Sequence, residues 1–301
     1  MIKSKKLSVT IGIPAYNEEA NIISLLSDIL SQKETNFSLT KIIVVSDAST
    51  DNTDRKVLAF RDKRLKLIRN DIRRGQIYNQ NKIFNLANTD IVVLLEADTL
   101  MTDKIYLNRL IAPFIKNNSI VLSQGNWIPI LGNNLIGKAL STQANIYNQL
   151  TRSRTDVIEM LCSGRGGRAF AKKIYKKLQL PLDVPEDVYV ILWCKKHFMK
   201  TKFQKSATLT YRCPETFSDY QKEIQKIKVA ERSLNRYFSK KQIEKMYRRP
   251  FSLSLKIAAL LLLSHPILFF TYLFIRTQAL AKPTEKQFND LWPITQTTKL
   301  L

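Results

Sequence analysis

Histidine and cysteine are scarce in this chain, and acidic residues are heavily outnumbered. Two histidines and three cysteines among 301 residues form no zinc-finger spacing and no C-x-x-C. Cys162, Cys194 and Cys213 are odd in number and widely spaced, so no disulfide framework is expected and a reducing cytosol fits. MIKSKK runs straight into LSVTIGIP without an apolar h-region, so no secretory signal peptide is expected. No internal repeat or low-complexity tract interrupts the chain. Only 25 Asp and Glu stand against 48 Lys and Arg, a formal charge of +23. That imbalance points to an anionic partner: nucleic acid, an anionic membrane face or a phosphorylated substrate. The absence of a recognisable nucleic-acid motif disfavours the first, whose signature would be an affinity that falls steeply with salt. What the chain does have is apolar content, at 45% enough for a real core and too much for disorder.

The first 100 residues alternate. LSVTIGIPA reads as a strand, NEEANIISLLSDILSQ as an amphipathic helix, LTKIIVVSDAS as a strand and TDNTDRKVLAF as a capped helix. LKLIRN, GQIYNQNKIFNLANT and DIVVLLEAD continue as strand, helix, strand. Nearly unbroken apolar strands alternating with helices predict an α/β fold with a doubly wound, mostly parallel sheet. Ligands in such sheets bind beyond the carboxyl ends of the strands. PAYNEE, SDASTD and EAD occupy three of those ends. One acid there is usually a solvated turn residue or a helix cap; three polar clusters on one edge suggest a site. EAD is the sharpest, because a buried carboxylate needs a cation or hydrogen bonds to compensate it.

Beyond residue 120 the pattern is mixed. CSGRGGRAFAKKIYKKL is a glycine-rich turn entering a basic helix, without the spacing of a P-loop. Glu186 and Asp187 follow Pro185, where an acidic pair also suits a helix first turn. Ile224, Ile227, Ala230, Leu234 and Tyr237 recur at helical spacing in a basic segment, read as lying on an anionic membrane surface. Leu253 to Ile275 is the one long apolar run, with Lys256, His265 and Pro266 inside it. Its length suits a membrane-spanning or, through the proline, a re-entrant segment; a buried core helix is the alternative. These readings divide the chain into a catalytic domain at 1–213, interfacial helices at 214–250, a membrane segment at 251–276 and a polar tail at 277–301.

In order and spacing, IPAYNEE, VVSDASTDNT, RRGQIYNQN, LLEAD, CSGRGGRAF, PEDV and QKIKV resemble the family 2 glycosyltransferases, which have the GT-A fold. No single motif is strong; the series of seven covers about residues 7 to 275. The resemblance implies that Pro14, Ala15 and Tyr16 line the nucleotide base and ribose, with Glu18, Asp47, Arg74, Gly75 and Asn81 also on the donor side. Asp47 matches the second aspartate of the family's pair, whose first position is Ser46 here, and Gln76 stands where a lysine commonly follows the glycine. EAD matches the D-x-D motif: Asp98 would hold Mg²⁺ or Mn²⁺ on the diphosphate, with Glu96 and Ala97 beside it. Asp187 matches the catalytic base. Gly164, Arg165, Glu186, Gln225 and Lys228 would face the acceptor. Lys228 and Val229 replace the arginine and tryptophan of Q-x-x-R-W, which argues against polymer synthesis.

A nucleotide diphosphate repels Asp98 unless a divalent cation bridges them, and such a cation takes oxygen ligands while leaving positions for phosphate. Arg73, Arg74, Arg165 or Arg168 could add hydrogen bonds to the diphosphate. One base opposite one leaving group is a single displacement, which inverts the anomeric centre. The expectation is therefore a membrane-attached, inverting, metal-dependent transferase with its catalytic domain facing the cytoplasm. It would move a sugar from an NDP-sugar, a UDP-sugar first, to a lipid or glycan acceptor in cell-envelope synthesis. A polyprenyl-phosphate hexose synthase and a non-catalytic nucleotide-binding subunit are the alternatives, and nucleic acid is not an expected partner.

Overall fold

The computed structural model describes residues 6–152, 154, 166–282, 295 and 297–299. In chain order the elements are β1 (Leu7–Ala15), α1 (Ile22–Leu30), β2 (Phe37–Ser46), α2 (Thr53–Ala59), β3 (Leu65–Arg69), α3 (Gln76–Leu86) and β4 (Ile91–Leu94). Then come β5 (Leu100–Met101), α4 (Tyr106–Lys116), β6 (Ile120–Ile130), α5 (Leu135–Thr151), β7 (Arg168–Ala171), α6 (Lys172–Tyr175), α7 (Glu186–Lys196) and β8 (Lys200–Arg212). The carboxyl-terminal part contains α8 (Phe217–Ser233), a 3₁₀ turn, α9 (Lys240–Tyr247), α10 (Phe251–Ser264), α11 (Pro266–Ala281) and a last 3₁₀ turn, Thr297–Lys299.

Among the described residues, eight strands form one sheet in the order β3-β2-β1-β4-β7-β6-β8-β5. The half β3-β2-β1-β4 is parallel throughout. Its strands are rich in Ile and Val, and β4 is buried along its whole length, as a sheet covered on both faces requires. The other half is mixed: β7 runs antiparallel to both β4 and β6, β5 runs antiparallel to β8, and β6 pairs with β8 in parallel. The expected parallel sheet is thus correct for the first half and needs three antiparallel pairings in the second. Gly125 of β6 and Gly166 just before β7 let these backbones approach so closely that a Cβ on either would collide with the other's carbonyl.

The carboxyl-terminal helices correct two expectations. The apolar stripe of the basic segment does not face outward. Val229, Ala230, Leu234, Phe238, Ile243 and Met246 join the main core, while Ile227 is half exposed. The long apolar run is not one helix. It breaks at His265–Pro266, with proline opening α11 where its missing N–H costs nothing. Helices of 14 and 16 residues reach only about 21 and 24 Å at about 1.5 Å per residue, short of a hydrocarbon core of about 30 Å. Among the described residues, no helix is long and apolar enough to cross a membrane. The two helices pack on each other and on α5. They bury Leu253, Ile257, Leu261, Ile275 and Ala279 and leave Phe251, Leu263, Ile267, Phe270 and Phe274 outside.

Candidate active site

The loop after β1 and the loop after β2 are stitched together. Asn17 N–H donates to Ser49 Oγ (3.2 Å), Glu18 N–H to Thr53 Oγ1 (2.7 Å) and Glu19 N–H to Asp51 Oδ2 (3.0 Å). In return Asn17 Oδ1 accepts from Thr50 N–H (2.8 Å) and Glu19 Oε2 from Asn52 N–H (3.0 Å). Asn17 and Ala48 adopt positive φ, 53° and 59°, which asparagine tolerates and alanine does only under restraint. The clusters PAYNEE and SDASTD therefore form one rigid rim.

Asp47, at the end of β2, is buried and saturated. Oδ1 accepts from the Arg74 N–H and from Asn70 Nδ2, and Oδ2 from the Gly75 N–H, each at 2.8 Å. The carboxylate thereby fixes the start of α3. Gly75 has φ 95° and ψ 164°, a region essentially reserved for glycine. Asn70 also donates to Asn79 Oδ1 (2.7 Å) and accepts from Lys82 Nζ (2.9 Å). The sequence reading missed Asn70, although it stands just beyond β3, at the same sheet edge as the three clusters. Arg73 lies over the Tyr16 ring, its guanidinium carbon 4.3 Å from the centroid, and Arg74 over Tyr78 at 5.7 Å. Pro14 and Ala15 close β1, and Ala15 C=O accepts from Asp47 N–H at 2.8 Å.

Strand β4 ends at Leu94, so Glu96, Ala97 and Asp98 lie in the turn beyond it rather than in the strand. Thr99 Oγ1 closes the turn on Glu96 C=O (2.8 Å). Glu18 is buried, and burial together with the neighbouring Asp98 charge pushes its carboxyl up to about 7, against the pull of Lys299. Glu18 and Asp98 are thus electrostatic neighbours from two different loops. Among the described residues no three Asp, Glu, His or Cys side chains close around a metal position. One or two carboxylates without a full cage suit Mg²⁺ or Mn²⁺, which complete their shell with substrate phosphates and water. They do not suit zinc.

On the other side of the crevice, β7 and α7 bring Arg168, Glu186 and Asp187 together. Arg168 Nη2 donates to Glu186 Oε1 at 2.9 Å, both side chains being nearly buried. Gln80 Nε2 reaches the same oxygen at 3.3 Å and Gln76 Nε2 at 3.5 Å, so Glu186 ties the start of α7 to α3. Gln76, Gln80, Glu96, Gly167 and Arg168 line one small crevice. Burial opposes ionisation of Glu186, but Arg168 and then Lys226 hold it below its ordinary range. Asp187 goes the other way: burial and the adjacent Glu186 charge raise it to about 6, and Arg168 and Lys226 only moderate the rise. Arg168 Nη1 is buried without a hydrogen-bond partner among the described residues. Tyr247 of α9 adjoins the pair, and its phenol is pushed up by burial and by Asp187. Lys226 and Tyr247 were not legible as site residues, since helical periodicity assigns a face but not what that face meets.

Other expected site residues are used differently. The Asn81 amide is spent on the Leu180 backbone, donating to its C=O (2.8 Å) and accepting from its N–H (3.0 Å), so it joins α3 to the segment before α7. Gln225 Nε2 and Lys228 Nζ donate to the C=O groups of Lys282 (3.3 Å) and Leu280 (2.7 Å), capping the end of α11. Lysine suits that position, where helix carbonyls lack partners. Val229 is in the core. Gly164 and Arg165, expected at the acceptor, lie outside the described residues.

Known proteins share the fold that carries these residues. The glucosyltransferase WfgD of Escherichia coli, a UDP-Glc:alpha-D-GlcNAc-diphosphoundecaprenol beta-1,3-glucosyltransferase, is 33% identical over 146 residues, 48% of this chain and 55% of WfgD. The chain thus matches about half the length of that curated relative. Among solved structures, the mannosyltransferase PcManGT from Pyrobaculum calidifontis, in complex with GDP-Man and Mn²⁺, superposes with TM-score 0.65 at 18% identity, over 92% of this chain and 86% of that one. Glucosyl-3-phosphoglycerate synthase from Mycobacterium tuberculosis, with Mn²⁺, UDP and glucosyl-3-phosphoglycerate, gives 0.52 at 15% identity over 76% and 80%. These likenesses establish the GT-A fold. The sequence model of "Glycosyl transferase family 2" matches residues 10–179, from β1 through the Asp98 turn to β7, and stops short of Asp187. With more than half of its length inside that match, and with the fold to go with it, the chain belongs to glycosyl transferase family 2.

Proposed function

We propose that this chain transfers a hexose from a nucleoside diphosphate sugar, UDP-linked first among the choices, to an acceptor carried on a membrane lipid or growing glycan, with inversion. The observation that carries the reading is the meeting, on one sheet edge, of the Glu18–Asp98 pair with the Arg168–Glu186–Asp187 cluster. Asp98, with Glu96 at hand, would hold Mg²⁺ or Mn²⁺. When bound, the ion offsets charge building on the leaving diphosphate. The loop rim and the α3 start, clamped by Asp47, receive the nucleotide. Arg168 has one donor in use on Glu186 and one to spare, and it stabilises negative charge between the two halves. Asp187 takes the proton of the acceptor hydroxyl as the new bond forms. Its raised proton affinity matches it to that work near neutrality better than an ordinary aspartate.

The apolar surface of α10 and α11, flanked by exposed Arg248, Arg249 and Lys256, supports attachment to an anionic bilayer without crossing it. WfgD, by its name, acts on a diphosphoundecaprenol-linked sugar, which supports a lipid-linked acceptor here. The decisive experiment is turnover of a panel of NDP-sugars with and without EDTA. Metal-dependent release of the nucleotide from one donor is expected. Nucleotide binding without any turnover, tested with lipid-linked acceptors, would instead leave a non-catalytic subunit.

A further inference from the structure

The last turn of the chain is docked on the donor rim. Thr297 N–H and Oγ1–H both donate to Asp219 Oδ2, at 2.9 and 2.8 Å, and Glu215 N–H donates to Thr297 Oγ1 at 3.0 Å. So fixed, the turn projects Lys299 into the loop after β1. Its ammonium donates to Glu18 Oε1 at 2.5 Å, to Asn17 C=O at 3.1 Å and to Tyr16 C=O. Asn21 Nδ2 closes the joint, donating to Lys299 C=O at 2.5 Å and to Glu18 Oε2 at 3.0 Å. Both members of the Lys299–Glu18 pair are largely withdrawn from solvent, at 16% and 8% side-chain exposure. A buried pair with this many oxygen partners is a built contact rather than a surface encounter.

The three ammonium protons are matched by three loop oxygens, so the lysine has none left for a phosphate. Its effect on a ligand must pass through the loop. Two consequences follow from the geometry. Carbonyls of Tyr16 and Asn17 are held inward, which sets the Tyr16 ring where Arg73 stacks on it. The charge of Glu18 is also balanced beside Asp98, which leaves Asp98 as the carboxylate for a phosphate-bound cation. Resting on the donor reading above, we propose that Lys299 is a positioning residue of the nucleotide site, a cation brought from the last turn to hold the Tyr16–Glu18 loop in the shape that receives a nucleoside diphosphate.

The test is calorimetry of UDP and GDP with Mn²⁺ on the full chain, alongside steady-state kinetics. Lys299→Met should weaken nucleotide binding and raise donor KM by about tenfold, the scale of one lost charge-assisted contact, while kcat at saturating donor stays within about threefold. Lys299→Arg, too wide for the three-oxygen cradle, should recover only part of the affinity. In a double-mutant cycle Lys299→Met should add little to Glu18→Gln, because both break the same link. Thr297→Val, which touches only the anchor, should shift donor KM in the same direction and by less, and it serves if Lys299→Met does not fold. Unchanged affinity in Lys299→Met would overturn the inference, and so would tighter binding, since the turn would then be competing with the donor. If the wild type binds neither nucleotide, the donor reading itself fails. If the wild type binds and Lys299→Met binds equally well, only the role of Lys299 falls.

Discussion

Asp47, just past β2 at the parallel half of the sheet, and Asp187, in the first turn of α7 beside the mixed half, sit in opposite surroundings. In the parallel half, Asp47 meets two backbone N–H groups and an asparagine amide. Three donors reach its two oxygens, and the carboxylate acts as a clamp. Beside the mixed half, Asp187 has an acid next to it and, among the described residues, accepts from the Val188 N–H at 2.7 Å. There the surroundings resist the charge and leave a group ready to bind a proton. The difference teaches that an aspartate at a strand or helix end is not informative by type. What decides its work is the number of donors that reach it.

Substitution can break that contrast, beginning where the effect is largest. Asp187→Asn keeps the shape and removes the base, so kcat should fall by roughly 10²-fold or more while UDP affinity changes little. Full turnover per folded molecule would falsify the base assignment. Asp98→Asn should abolish the metal-dependent part of UDP binding measured with Mn²⁺, with Glu96→Gln weakening it less. Equal affinity in Asp98→Asn and wild type would remove Asp98 from the metal. Asp47→Asn should act on folding instead. It replaces a carboxylate accepting three hydrogen bonds with a side chain that carries donors of its own, costing about 1.5–3 kcal/mol in denaturant unfolding. A stable Asp47→Asn protein with intact UDP binding would show that the clamp is dispensable. Gly75→Ala should cost about 1–3 kcal/mol through its backbone conformation alone.

The pH profile sharpens the same comparison. A base works only when deprotonated, so kcat/KM should decline as pH falls through about 6, the value to which burial and Glu186 raise Asp187. An aspartate at its ordinary value of about 3.9 would hold full activity to about pH 5. The linkage sign follows: the folded state binds this proton more tightly, so this group makes unfolding easier as pH rises from about 4 to about 6. An acid limb near pH 4 would mean that Asp187 is not the group seen in the profile.

Much of the first half was legible because its physics is local and periodic. Ile and Val runs ended by PAYNEE, SDASTD and EAD give strands, and the strand-end rule gathers the acids. Even there Asn70 escaped, since a single asparagine after LIRN carries no pattern. The second half was less legible. Antiparallel β7 is only four residues long, and the close approach of Gly125 to Gly166 cannot be read from either glycine. Gln225 and Lys228 kept motif positions but were turned to capping α11, because what a helix face meets depends on its neighbour. Arg168 was one of four candidate arginines, and only β7 pairing singles it out. Lys299 had no signal at all, being 281 residues from its partner Glu18.

The break at His265–Pro266 has a topological consequence. Had Leu253 to Ile275 crossed a bilayer once, everything after it would lie on the far side from the donor site. The ion pair between Lys299 and Glu18 requires both ends of the chain in one compartment. That contact is the one expected of a helical pair that enters and leaves a bilayer on the same side. If the proposed transfer takes place at a bilayer, lipid-linked acceptor and nucleotide sugar would meet this chain on one face, and an epitope tag placed after Leu301 should share the protease and antibody accessibility of one placed before Met1.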